Sequence, residues 1–155
     1  MPLIHRILVP TDFSAHATRA FDYAAELAAL YDAPLVLTHV YQTPLLFVAG
    51  EPVAAIPPDM DTMNADLDAA LQELVARGRA AGVPEVHIAI TGGDAPHEIV
   101  RVAQEQGCDL IVMGTHGRTG LKHLVLGSIA EKVVRMATCP VLTVSQKAAD
   151  TSHAG

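Results

Sequence analysis

Leu110-Ile111-Val112-Met113-Gly114-Thr115-His116-Gly117-Arg118-Thr119-Gly120-Leu121-Lys122-His123-Leu124-Val125-Leu126-Gly127-Ser128 is the stretch on which the reading of this chain turns. Its first four residues are an apolar run of buried-strand character. Gly114 and Gly117 stand where that strand would stop, and Gly127 and Ser128 stand where a new helix, patterned through Ala137, would begin. A strand, a glycine-rich loop and a fresh helix N-terminus together make an anion site, because the first N–H groups of the helix are unpaired and its dipole favours negative charge. Glycine lets the backbone bend closely around such a ligand. The loop is therefore expected to hold the phosphates of a nucleotide. Two rival motifs are absent. No Gly-Lys-Ser/Thr closes a short phosphate loop, and no Gly-x-Gly-x-x-Gly follows a strand.

Working outward, strands and helices alternate. His5 to Val9 is a first strand, broken by Pro10-Thr11-Asp12-Phe13. Ser14 is a plausible N-cap for a helix over Ala15–Tyr31 whose buried face carries Phe21, Ala24, Ala25 and Ala28, with Leu27 and Tyr31 beside them. Leu35 to Val40 is a second strand, apolar almost throughout. Between Tyr41 and Pro58, Pro44, Gly50, Pro52, Pro57 and Pro58 forbid a long regular element. An ordered loop is expected there, with room for one short helix, either covering the core edge, capping the site or meeting a partner. A helix follows over about 60–81, with Gly82 and Pro84 as its stop signals. The third strand is Val86–Ile90, and Asp94 is a candidate cap for a helix from Ala95 to Gln106. The fourth strand is Leu110–Met113. Ser128 and Glu131 form a candidate capping box for the last helix, and Val141–Val144 is the fifth strand. Residues 145–155 have the composition of a tail, so the core spans about 4–144 of one domain covering 1–155. This alternation predicts an α/β fold, an open, doubly wound, five-stranded parallel sheet with four helices.

Composition narrows the function. With Lys+Arg 10 against Asp+Glu 17, the formal charge is −7 and no basic cluster stands out, which argues against nucleic acid as a partner. No apolar run is long enough for a membrane span, and residues 1–6 lack the apolar core of a signal peptide. Cys108 and Cys139 match no metal spacing and read as reduced structural thiols of a cytoplasmic protein. The eight histidines show no HExxH or close His/Cys pairing, so no metal site is expected from protein groups alone. No nucleophile elbow, Cys/His signature or paired carboxylates mark a catalytic centre, and no catalytic residue is assigned.

The spacing Gly114-x2-Gly117-x9-Gly127-Ser128 resembles the ATP-binding signature of the universal stress protein family. Ile7-Leu8-Val9-Pro10-Thr11-Asp12-Phe13-Ser14, Leu37-Thr38-His39-Val40 and Thr138-Cys139-Pro140-Val141-Leu142-Thr143-Val144 resemble that family's opening strand and loop, second-strand end and closing strand. The resemblance implies an adenine-nucleotide alpha-hydrolase-like fold with strand order 3-2-1-4-5. Ligands of such sheets bind beyond the carboxyl ends of the strands, where the order reverses, here between the first and fourth strands. Pro10, Thr11 and Asp12 then lie beside Gly114, His116 and Gly117. The cofactor implied is ATP, AMP or ADP, with Mg²⁺ as a possible companion. Met113 and Pro10 would line base and sugar, Val40 would offer backbone groups to adenine, and Gly127, Ser128 and Ile129 would face the phosphates. Asp12 suits a ribose hydroxyl or a phosphate-bound Mg²⁺, or an Asx-turn of its own loop. His116 and Arg118 either assist the phosphates or face solvent, and His39 reads as a satisfied core-edge histidine. The resemblance also implies a homodimer paired through strand 141–144, with an unidentified protein partner. The function expected is nucleotide-dependent regulation in a stress response. A slow ATPase and a partner-binding module with an empty site are the alternatives.

Overall fold

The computed structural model describes residues 4–42, 45–54, 60–116 and 126–145. In chain order these form β1 (Ile7–Pro10), α1 (Ala15–Tyr31), β2 (Leu35–Tyr41), β3 (Leu45–Val48), β4 (Glu51–Ala54), α2 (Met60–Ala80), β5 (Val86–Gly92), α3 (Ala95–Glu105), β6 (Leu110–Gly114), α4 (Ser128–Met136) and β7 (Val141–Val144). Five strands make one parallel sheet in the order β5-β2-β1-β6-β7. With β3 and β4 set aside, this is the expected 3-2-1-4-5 order, and its reversal falls between β1 and β6.

Side chains alternate across each strand, so the sheet divides the core in two. Ile7 and Val9 of β1 pack with Phe21, Ala24 and Ala28 of α1 and Leu71 and Leu74 of α2. Leu8 packs on the opposite face with Ile99 and Val102 of α3 and Ala130 and Val133 of α4. Burial on both faces is why β1, β2 and β6 are continuous apolar runs rather than alternating ones. The alanine stripe of α1 lets that helix lie close to the sheet, with Phe21 fully buried between them. Tyr31, expected on this stripe, is instead 37% exposed at the last residue of α1.

Local signals set the helix ends where they are strong. Ser14 Oγ accepts the Ala17 N–H at 3.2 Å, as an N-cap should. Gly82, at φ +96°, closes α2, donating to the Arg79 carbonyl at 3.0 Å while Val83 donates to the Gly78 carbonyl at 3.1 Å. Asp94 stands at the N-cap of α3 but makes no capping bond. Its carboxylate turns to the His97 ring instead, a bond that holds the Asp94 carboxyl below its ordinary range.

The segment expected as a loop with room for a short helix is instead an antiparallel hairpin, β3 against β4, closed by Ala49 and Gly50. Both turn residues have positive φ, 55° and 86°, the requirement of a two-residue turn that follows the natural strand twist. Pro52 is tolerated because both strands are edges. Phe47, Val48 and Val53 are exposed on this hairpin.

At the amino end of β1 and β6 the chain is closely tied. The Asp109 carboxylate accepts the His5 N–H at 2.8 Å, the Arg6 N–H at 3.1 Å and the His5 ring Nδ1 at 2.8 Å. Arg6 in turn donates through Nη1 to the Gln106 carbonyl at 2.9 Å.

Candidate functional site

The carboxyl ends of β1 and β6 carry the residues singled out in the sequence. The Thr11 N–H donates to the Thr38 carbonyl at 2.9 Å, extending the β1–β2 pairing one residue past the strand. The Thr11 hydroxyl then accepts the Phe13 N–H at 3.0 Å, and Asp12 Oδ1 accepts the Ser14 N–H at 3.0 Å. Two side chains thus fold the Pro10–Ser14 corner, and the Asx-turn weighed for Asp12 is present. Phe13 takes a positive φ of 62°, a strained geometry for a bulky residue, costing on the order of 1 kcal/mol or more. Its ring is held 5.2 Å from that of His39. His39 Nδ1 donates to the Thr11 carbonyl at 2.9 Å, so it is the satisfied core-edge histidine expected, and it props the corner.

At the exit of β6, the Thr115 N–H donates to the Val144 carbonyl at 3.1 Å, and the Thr115 carbonyl accepts the Gly127 N–H at 2.6 Å. The start of α4 is therefore clamped to the exit of β6. A side chain is excluded at Gly127 and crowded at Gly114. A Cβ on Gly127 would lie 2.6 Å from the Thr115 oxygen, and one on Gly114 would lie 3.0 Å from the His16 backbone. Gly127 itself is the N-cap of α4, and among the described residues no side chain caps this helix. The capping box expected between Ser128 and Glu131 does not form. Ser128 is already the first helical residue, and Glu131 pairs with Arg135 at 2.6 Å. Ser128 and Ile129 are exposed at the helix start.

The remaining expected residues fall into place unevenly. Met113 is buried and, like Val40, packs on the face that carries α3 and α4. Pro10 is half-buried at the end of β1. His116 is half-buried, its Nδ1 3.0 Å from the Thr115 hydroxyl. Gly117 and Arg118 lie outside the described residues, as does the tail from residue 146. Sequence reasoning missed one residue altogether. His16, in the first turn of α1, brings its ring to 5.5 Å from that of His116. Nothing in local spacing announces this contact, since one hundred residues separate the two histidines.

Two features mark this end of the sheet. The backbone packs so closely at Gly114 and Gly127 that a Cβ there would meet His16 and Thr115. Two buried ring nitrogens, His16 Nδ1 and His116 Nε2, have no hydrogen-bond partner among the described residues, an arrangement uncommon in native interiors. Among the described residues no group of three or more His, Cys, Asp or Glu is placed to hold a metal ion.

A family model described as the universal stress protein family matches residues 4–145. The chain belongs to the universal stress protein family. A universal stress protein of Methanocaldococcus jannaschii is 32% identical over 150 residues, covering 93% of this chain and 84% of that relative. Among solved structures, a universal stress protein in complex with cAMP superposes with a TM-score of 0.69 at 27% identity, over 92% of this chain and 97% of that one. A universal stress protein from Archaeoglobus fulgidus in complex with dAMP does so with a TM-score of 0.64 at 25% identity, over 92% and 98% of the two chains. Among the described residues, no helix is long and apolar enough to cross a membrane.

Proposed function

We propose that this universal stress protein binds an adenine nucleotide, ATP foremost, in the crevice between β1 and β6, and that occupancy is the signal it passes to partners in a stress response. The observation that carries the reading is the clamp of Gly127 onto Thr115, which ties the start of α4 to the exit of β6, the strand beside β1 where the sheet order reverses. Unpaired N–H groups of Ser128 and Ile129 would take the phosphates, with Gly117 and Arg118 completing the loop. Because the capping box is not made, the Ser128 hydroxyl has no role in capping and suits a phosphate oxygen. The Val40 backbone would meet the adenine edge, and Met113 and Pro10 the base and sugar. Asp12 would reach a ribose hydroxyl, or Mg²⁺ brought in with the nucleotide. Two relatives with this fold are described with cAMP and dAMP, which supports the adenylate class.

Binding rather than turnover is the function in this reading. No Gly-Lys-Ser/Thr of a phosphate loop stands in the sequence, so any hydrolysis would be slow. β7 is an edge of the parallel sheet, with Leu142 exposed, and an exposed apolar edge suits antiparallel pairing with a second copy. We place the protein in the cytoplasm as such a homodimer.

The test is calorimetric titration of nucleotide-free protein with ATP, ADP and AMP, beside chromatography of whatever nucleotide is released from the purified protein on denaturation. Binding with adenine preference is expected. An empty preparation and no heat at millimolar ligand would end the proposal.

A further inference from the structure

Cys108 and Cys139 are the two cysteines of the chain. Both are free thiols, and both are half-buried. They stand far apart in sequence, yet the sheet brings them together. Cys108 closes the turn after α3, its N–H donating to the Ala103 carbonyl at 2.8 Å, and leads into β6. Cys139 leads into β7. These strands are parallel neighbours, with Ile111 opposite Val141. The Ile111 N–H donates to the Pro140 carbonyl at 3.0 Å, so the pairing reaches back beyond the first residue of β7.

Counted back two residues, that register sets Cys139 opposite Asp109, with Cys108 the next residue down. A strand spacing of about 4.8 Å and a stagger of one residue, about 3.3 Å, put the two Cα atoms about 6 Å apart. A disulfide spans Cα atoms about 4.4–6.8 Å apart. Direction agrees with distance. Both side chains pack against the cluster that holds Ala103, Ile111 and Val133 under α3 and α4, so both leave the sheet on one face. A close pair of thiols can also be half of a metal set. Among the described residues, however, no group of three or more His, Cys, Asp or Glu is placed to hold an ion.

The environment sets the character of the pair. Burial pushes the Cys108 thiol up to about 11, and Cys139 itself adds to that rise. Burial also raises the Cys139 thiol. Few such thiols are ionised near neutral pH, so they attack slowly. Their thiolates are also poor leaving groups, so a bond once made between them resists return.

We infer that Cys108 and Cys139 are a dithiol–disulfide pair, oxidised by a small disulfide, whose bond staples the start of β6 to the start of β7. One protein thiolate attacks a sulfur of the small disulfide, expels one of its thiolates and forms a mixed disulfide. The second protein thiolate then attacks the protein sulfur of that bond and expels the other small thiolate. The protons of the two cysteines end on the two small thiols. The cysteine pair has lost two electrons and the small disulfide has gained them. The loop closed in this way runs from Cys108 to Cys139 and contains β6, Gly114, Gly127 and α4. This inference is independent of what the nucleotide crevice binds.

The experiment incubates the full chain, folded and without denaturant, with excess oxidised glutathione at about pH 8.5, and follows intact mass over hours to days. Because the chain has two cysteines, an intrachain bond can join no other pair. The unaltered chain should end two hydrogens lighter, with no glutathione retained, and dithiothreitol should restore it. Its thermal midpoint should rise on the order of 10 °C on oxidation, as expected for a cross-link that closes a loop of this length. Cys108→Ser and Cys139→Ser should each stop at one retained glutathione and show no such rise. Two glutathiones retained on the unaltered chain, chains cross-linked to one another on a non-reducing gel, or an intrachain bond that forms only in urea would each overturn the pair. An unchanged mass after days with the oxidant would overturn it as well.

Discussion

The two ends of β1 and β6 are built from the same strands and treat polar groups in opposite ways. At the amino end one carboxylate, Asp109, takes three hydrogen bonds from His5 and Arg6, and Arg6 finds a carbonyl. At the carboxyl end the backbone is clamped just as firmly, through Thr11 to Thr38 and Gly127 to Thr115, yet His16, Arg19 and His116 are left with buried nitrogens unsatisfied. A closed end has completed its bonding within the chain. An open end is clamped in its backbone and incomplete in its side-chain hydrogen bonding, which is the condition for binding something else. A firm backbone alone does not mark a site; a firm backbone with unpartnered polar atoms does.

The sharpest way to break this contrast is Gly127→Val. The new side chain would collide with the Thr115 oxygen at the clamp, and nucleotide affinity should fall roughly a hundredfold, the equivalent of about two charge-assisted hydrogen bonds. Calorimetry decides, and unchanged affinity would show that the open end is not where nucleotide binds. Gly114→Ala comes next. Its Cβ meets His16 backbone at 3.0 Å, so α1 must shift, at a stability cost of about 1–3 kcal/mol, read from urea unfolding.

Asp109→Ala tests the closed end. It should lower stability by about 1 kcal/mol at neutral pH and leave nucleotide affinity untouched; a matching loss of affinity would mean the two ends are not separable. The pH dependence has a definite sign. Burial pushes the Asp109 carboxyl up, but hydrogen bonds from the Arg6 and His5 N–H groups and the His5 ring outweigh it, so the folded value lies below the ordinary one. Its contribution is complete above the unfolded carboxyl's pKa, near 4, and is lost as the pH falls through the lower folded value. The difference between the unaltered chain and Asp109→Ala should therefore close in acid.

The last test concerns Cys108, also at the closed end. Burial pushes its thiol up to about 11, and burial likewise raises that of Cys139. At pH 8 alkylation of native protein should be slower than that of a free thiol, by on the order of a hundredfold for Cys108. The rate should climb with pH toward that value. Rapid labelling at pH 8 would place a reactive group where the contrast predicts an inert one.

Local patterns carried the reading a long way. β7 has the bounds that apolar run and turn signals predict, and Ser14 and Gly82 mark α1 and α2 because capping chemistry is written within four residues. The hairpin escaped notice because its turn has Ala49 where Asn, Asp or Gly is the usual signal, and its prolines read as breaks rather than as edge positions. The capping box was misread because Gly127, bonded to Thr115, already starts the helix. A bond made outside the helix overrode a rule made inside it.

By itself the sequence determined the alternation of strands and helices, the sheet that follows from it, and the glycine loop at its switch point, since each depends on neighbours along the chain. Only the tertiary structure decided which basic side chains are left wanting. His16 and His116 meet across one hundred residues, and whether a nitrogen has a partner depends on every element that closes around it.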